Sequence, residues 1–173
     1  MFYISFEGVQ LYILLFQNLK DFMKAEFKVI TESDFKESES VLLFNTERSW
    51  CYGIIFNEEI SFKFGWQSDL ITPEINEVSE NVYSLGIDLN FAIIDFNKNS
   101  IVTNLLLDYF FYLTKLYEDY LYVITELSII RIELVTFTII ETLYLPDIFK
   151  EIVFDKNRIE VKCFNDEIAY FVI

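Results

Sequence analysis

From Val41 onward the chain repeats one motif: a short apolar and aromatic run, then two or three residues dominated by Asn, Asp or Glu. Such runs are too short for most globular helices. Where they alternate, they do so with the period of two that sends successive side chains to opposite faces of a strand. Ile60, Phe62, Phe64 and Trp66 alternate with Ser61, Lys63 and Gly65, and residues 50–56, the turn 57–59 and residues 60–66 predict a hairpin. Residues 82–87 and 91–96 flank Asp88-Leu89-Asn90, and 97–99 turn into 101–107. Residues 121–126, 128–134, 148–154, 158–164 and 167–173 continue the pattern, with Asp155-Lys156-Asn157 and Asn165-Asp166 between the last three. Asn and Asp tolerate the positive φ that tight hairpins need, so these junctions read as turns.

Elsewhere the signal differs. Residues 1–16 read as one or two strands. Residues 17–28 place Leu19, Phe22, Met23 and Phe27 on one helical face, which predicts an N-terminal amphipathic helix. Residues 32–40 have the character of an exposed acidic loop, and residues 67–81 that of a loop or short helix. Residues 105–117 fit either a second helix or strands. The expected fold is mainly β, an antiparallel meander forming a sandwich or half-barrel with one or two short helices. Its 173 residues suit a single domain, 1–173, with 1–81 and 82–173 as its natural subdivision.

Leu85-Gly86-Ile87-Asp88, Phe91-Ala92-Ile93-Ile94-Asp95 and Val123-Ile124-Thr125-Glu126-Leu127 resemble strand cores of quinoprotein-type β-propeller blades. The resemblance extends over residues 82–173. It implies a meander of four-strand units, but about two blades cannot close a propeller, which takes at least ~4. The repeated tryptophan motif of those blades is absent from this half, so no quinone cofactor is implied.

Composition removes whole classes of function. The chain has no histidine, which excludes Ser-His-Asp and Cys-His nucleophile systems and HExxH zinc sites. Four glycines and no GxxxxGK[ST], GxGxxG or GxSxG leave no phosphate loop or nucleophile elbow. Asp95-Phe96-Asn97-Lys98-Asn99 begins like an EF-hand loop, but Ser100 and Leu106 stand where such a loop needs Gly and Glu, so it reads as a hairpin turn. Asp88, Glu126 and Glu133 lie beside strand cores and are the carboxylates that could act on a glycoside. With 28 acidic residues, some fall there by chance. The expectation is no enzyme, with no catalytic residues, no metal and no cofactor. Cys51 and Cys163 are far apart and lack metal-type spacing, which suits free thiols in a reducing cytoplasm. The longest uncharged run, residues 8–19, is too short to span a bilayer, and the first residues lack the basic stretch of a secretory signal.

Acid outweighs base 28 to 13, a formal net charge of −15, with −8 on residues 1–81 and −7 on 82–173. Such a surface repels nucleic acid and attracts basic partners. Two features carry weight as a docking surface. One is the acidic segment with Glu32, Asp34, Glu37 and Glu39. The other is the acid-and-tyrosine set Asp108, Tyr109, Tyr112, Tyr117, Glu118, Asp119 and Tyr120. Tyrosine supplies contact area with a polar tip, and neighbouring carboxylates steer a cationic partner. The expected function is a small acidic cytoplasmic protein that neutralises a basic partner by occlusion: a bacterial toxin's immunity protein, as in toxin–antitoxin pairs, or an inhibitor of a nucleic-acid-processing enzyme. The alternatives are a DNA mimic and an assembly subunit.

Overall fold

The computed structural model describes residues 24–173. They form β1 (Glu26–Ile30), α1 (Glu32–Glu37), β2 (Val41–Phe44), β3 (Cys51–Phe56), β4 (Ser61–Trp66), β5 (Glu74–Ser79), β6 (Val82–Ile87), β7 (Asn90–Asp95) and β8 (Ser100–Leu106). They continue as β9 (Phe111–Tyr117), β10 (Tyr120–Thr125), β11 (Ser128–Glu133), β12 (Ile139–Tyr144), β13 (Phe149–Asp155), β14 (Arg158–Cys163) and β15 (Ile168–Val172). The strands make four sheets, ordered β1-β3-β4-β2, β5-β6-β7-β8, β9-β10-β11-β12 and β13-β14-β15. All pairings are antiparallel except β2 with β4.

Adjacent sheets pack face to face as sandwiches, in series. Phe62 and Phe64 of the first sheet meet Leu85 and Ile94 of the second. Phe91 and Ile93 leave the opposite face of the second sheet to meet Leu121 and Val123 of the third. Tyr122 and Ile124 then meet Ile159 and Val161 of the fourth. An inner sheet is therefore wetted on neither face. This explains why β6 and β7 are buried throughout and read as nearly continuous apolar runs rather than alternating ones.

The turns behave as their residues require. Asn81, Asp88, Asn99 and Asp166 have φ between 50° and 66°, the left-handed region that Asn and Asp tolerate best after Gly, while Glu118 and Phe137 are held there (52° and 54°) without that tolerance. Asp95 is buried and accepts hydrogen bonds from the Asn97 and Lys98 amides (3.0 and 3.1 Å), with the Lys98 ammonium 3.0 Å away. The EF-hand-like residues are thus a self-satisfied hairpin turn.

Four expectations need correction or limiting. Of the helix expected over residues 17–28, positions up to 23 lie outside the described residues, and Glu26–Ile30 is strand. Pairing with β3 satisfies its backbone, and Phe27 stacks on Phe64 at 5.9 Å, so tertiary contacts override the helical spacing. The acidic loop of 32–40 contains α1, because Thr31 and Asp34 form a reciprocal capping box and Phe35 is buried. Residues 67–81 contain edge strand β5, whose charges are tolerated at the rim of a sheet. Residues 105–117 are not a second helix: β8 ends there and β9 begins. Strand β12 had no counterpart in the sequence reading.

Candidate functional site

In an up-and-down meander, alternate connections fall at the same end. Residues 45–50, 67–73, 88–89, 107–110, 126–127, 145–148 and 164–167 share one end of the stack, called here the loop end, and the tighter turns share the other. A relay of hydrogen bonds ties the loop end together. The Gln67 amide donates to the Asp88 carboxylate (2.6 Å), and the Phe111 amide to the Asp88 carbonyl (2.7 Å). Glu126 N–H donates to Phe110 (2.9 Å), Phe149 N–H to Glu126 (2.8 Å) and Phe164 N–H to Ile148 (2.9 Å). The loops are thus fixed relative to the sheets, as a docking surface requires.

Between the second and third sheets this end opens into a cleft of about 780 Å³. Phe110, Phe111 and Tyr112 supply aromatic wall, Ile71 and Pro73 close one side, and Glu74, Asp88 and Glu126 are its charged residues. Gly86 makes the wall possible: a Cβ there would overlap the Phe111 ring, which itself stacks on Phe91 at 6.2 Å. Glu74 spans the two sheets, one carboxylate oxygen accepting from the Thr114 amide and hydroxyl (both 2.7 Å) and from Asn76 (2.9 Å). Glu126 is half-buried, and its carboxylate has no hydrogen-bond or ionic partner among the described residues. Among the described residues no lysine or arginine lines the cleft, an arrangement in which apolar walls focus the field of its carboxylates.

The same end exposes Phe110 (51%) at the cleft, Leu70 (92%) next to Ile71, Trp50 (79%) in the first sheet's connection and Phe164 (60%) in the fourth's, together with Asp69 and Asp108. Large exposed aromatics among carboxylates are the composition of an interaction surface. The Cys51 thiol is pushed up from its ordinary value by burial and by Asp69 and Asp88, which leaves it a poor nucleophile. Among the described residues no acidic or cysteine cluster could hold a metal ion, and no helix is long and apolar enough to cross a membrane.

The structure divides the sequence-derived candidates. Asp108, Tyr109 and Tyr112 lie at the loop end, Tyr112 on the cleft wall with its ring 5.8 Å from Phe149. Tyr117, Glu118, Asp119 and Tyr120 lie at the opposite end, one strand length away. There Tyr117 stacks on Phe154 at 4.7 Å, and the Arg131 guanidinium sits 3.8 Å from the Tyr120 ring centre. The acids of α1 are engaged locally: Glu32 with Lys36 (2.5 Å), Glu37 with Ser33 (3.0 Å) and Asp34 in the capping box. Glu39 and Asp34 line a second groove of about 720 Å³, where Lys28 offsets part of the charge. Glu74, Phe110 and Ile71 were not singled out from the sequence. Strand parity was the signal that could have found them, since it assigns every other connection to one end.

By construction this is a series of blade-like meanders that resemble those of β-propellers and do not close into a ring among the described residues. No protein-family profile matches the sequence, and no curated protein is significantly similar to it. Among solved structures it is similar to the computationally designed Ika4 protein, with 10% identity and a TM-score of 0.49 over 79% of this chain and 93% of that one. It is also similar to Sqt1 of Saccharomyces cerevisiae, with 12% identity and a TM-score of 0.47 over 87% of this chain and 45% of that one. For the N-terminal domain of Nup159 the values are 10% and 0.43, over 87% and 48%. The chain therefore spans under half the length of these last two.

Proposed function

We propose that this chain is a protein-binding module whose loop end captures a basic partner. The observation that carries the reading is the cleft, in which aromatic walls and three carboxylates meet with no cation lining it among the described residues. Phe110 exposes ring surface at its wall, Leu70 is exposed beside its lining residue Ile71, and Trp50 and Phe164 add exposed aromatic area elsewhere at the same end. Carboxylates accelerate encounter, and buried aromatic contacts slow release. In the finer form of this proposal the partner is a toxin or a nucleic-acid-processing enzyme, and binding occludes its cationic groove. No catalytic role is assigned to the chain.

The test is capture from the native cell on the immobilised chain, at low and high salt, beside the Phe110→Ala variant. The reading predicts a retained protein of basic charge, released by salt and lost with Phe110→Ala. Retained proteins that are acidic and indifferent to both changes overturn it. Adding duplex DNA as competitor separates a DNA mimic, which DNA displaces from its partner, from an inhibitor that binds elsewhere. A second reading, an assembly subunit, draws on β15, which among the described residues pairs on one side only and exposes Ile168, Tyr170 and Val172. Sedimentation as a monomer at micromolar concentration argues against that reading.

A further inference from the structure

We infer that the cleft between the second and third sheets is a site for a short arginine-bearing segment of the partner, an inference that rests on the basic-partner reading above. Its volume of about 780 Å³ exceeds what one side chain fills and matches a segment of a few residues. The choice of arginine over lysine follows from the walls. Phe110, Phe111 and Tyr112 present ring surface, on which a planar guanidinium stacks with less loss of hydration than a compact ammonium. The free acceptors are also of the matching kind. Glu126 offers a whole carboxylate, suited to a two-pronged guanidinium contact. Asp88 commits one oxygen to the Gln67 amide and Glu74 one to Thr114 and Asn76, leaving each a second oxygen. The surrounding backbone is pinned by the loop-end hydrogen bonds, so the acceptors are arranged before a ligand arrives. A natural reporter is in place: the Trp66 indole N–H donates to the carbonyl of Ile71, which lines the cleft (3.2 Å).

The experiment titrates the full chain with end-capped tetra-arginine, tetra-lysine and tetra-citrulline peptides, by calorimetry and by tryptophan fluorescence in a Trp50→Phe background. Single-site binding of tetra-arginine is expected, about tenfold tighter than tetra-lysine, with tetra-citrulline inert. Glu126→Gln and Phe110→Ala should each weaken tetra-arginine about tenfold, whereas Glu118→Gln, an equal charge change at the opposite end, should leave it unchanged. Equal affinity for the two cationic peptides, with equal losses for Glu126→Gln and Glu118→Gln, overturns the inference in favour of diffuse attraction. The basic-partner reading then still stands if the captured partner is basic and salt-sensitive, so the two failures are distinguishable. Saturable binding of cellotetraose in place of the peptides would overturn the inference in favour of a carbohydrate cleft.

Discussion

At the scale of single residues, Gly86 decides whether the cleft exists. A Cβ there would overlap the Phe111 ring, so that ring, which stacks on Phe91, would have to shift. Gly86→Ala should cost about 1–3 kcal/mol in chemical denaturation, as overpacked cores do, and should weaken binding at the cleft. Tyr122 presents the opposite case. It is fully buried, and its hydroxyl has no hydrogen-bond partner among the described residues. Burial raises its pKa, so the unfolded chain ionises first as pH rises and the residue's stabilising preference for the neutral form is lost through the alkaline range. Tyr122→Phe removes both penalties: it should raise the unfolding free energy by about 1 kcal/mol and flatten the alkaline limb of the stability profile. Asp88 and Glu126 stood out in the sequence as acids beside strand cores. That they face one aromatic-walled space was not visible there, because it depends on pairing between sheets and not on spacing along the chain.

At the scale of elements, the strands were legible because short apolar runs end at Asn or Asp junctions, with a period of two added in residues 60–66 and 158–164. Residues 41–44 and 82–87 match β2 and β6 at both ends. The misses share a cause. β1 and β5 are edge strands whose polar or helix-like sequences are decided by pairing, β12 is partly exposed, and α1 is only six residues long. A helix that short stands on its cap: Thr31 accepts from the Asp34 amide while the Asp34 carboxylate takes the Thr31 amide and hydroxyl. Thr31→Ala should cost about 1 kcal/mol and raise amide exchange in residues 32–37, leaving the sheets protected. Equal protection across α1 in both proteins would show that Phe35 packing, and not the cap, holds it.

At the scale of the whole molecule, acid is spread over every sheet, yet the two ends differ. The turn end carries Glu58, Glu59, Glu80, Glu118 and Asp119 with exposed Val135 and Val172, whereas the loop end combines its carboxylates with exposed Trp50, Phe110 and Phe164. One carboxylate at the loop end is already committed. Hydrogen bonds from Lys162 and Lys150 hold Asp166 below the usual carboxylate range. Its stabilising contribution is present above that range and is lost as pH falls through the lowered value. Asp166→Asn should therefore reduce stability at neutral pH and leave it unchanged once pH is well below the carboxylate range, as read by thermal unfolding across pH. Net charge was fully legible in the sequence, and the meeting of carboxylates with aromatic walls at one end was not.

The place where a cationic partner lands separates a loop-end docking surface from a uniform charge. Two variants with the same loss of three charges, Asp88→Asn/Asp108→Asn/Glu126→Gln and Glu58→Gln/Glu118→Gln/Asp119→Asn, can be compared by stopped-flow association with the captured basic partner at low ionic strength. The loop-end variant should associate about tenfold more slowly, and the turn-end variant within about twofold of the unaltered chain. Equal slowing of both would mean that the charge acts as a uniform cloud and that the loop end is not the docking surface.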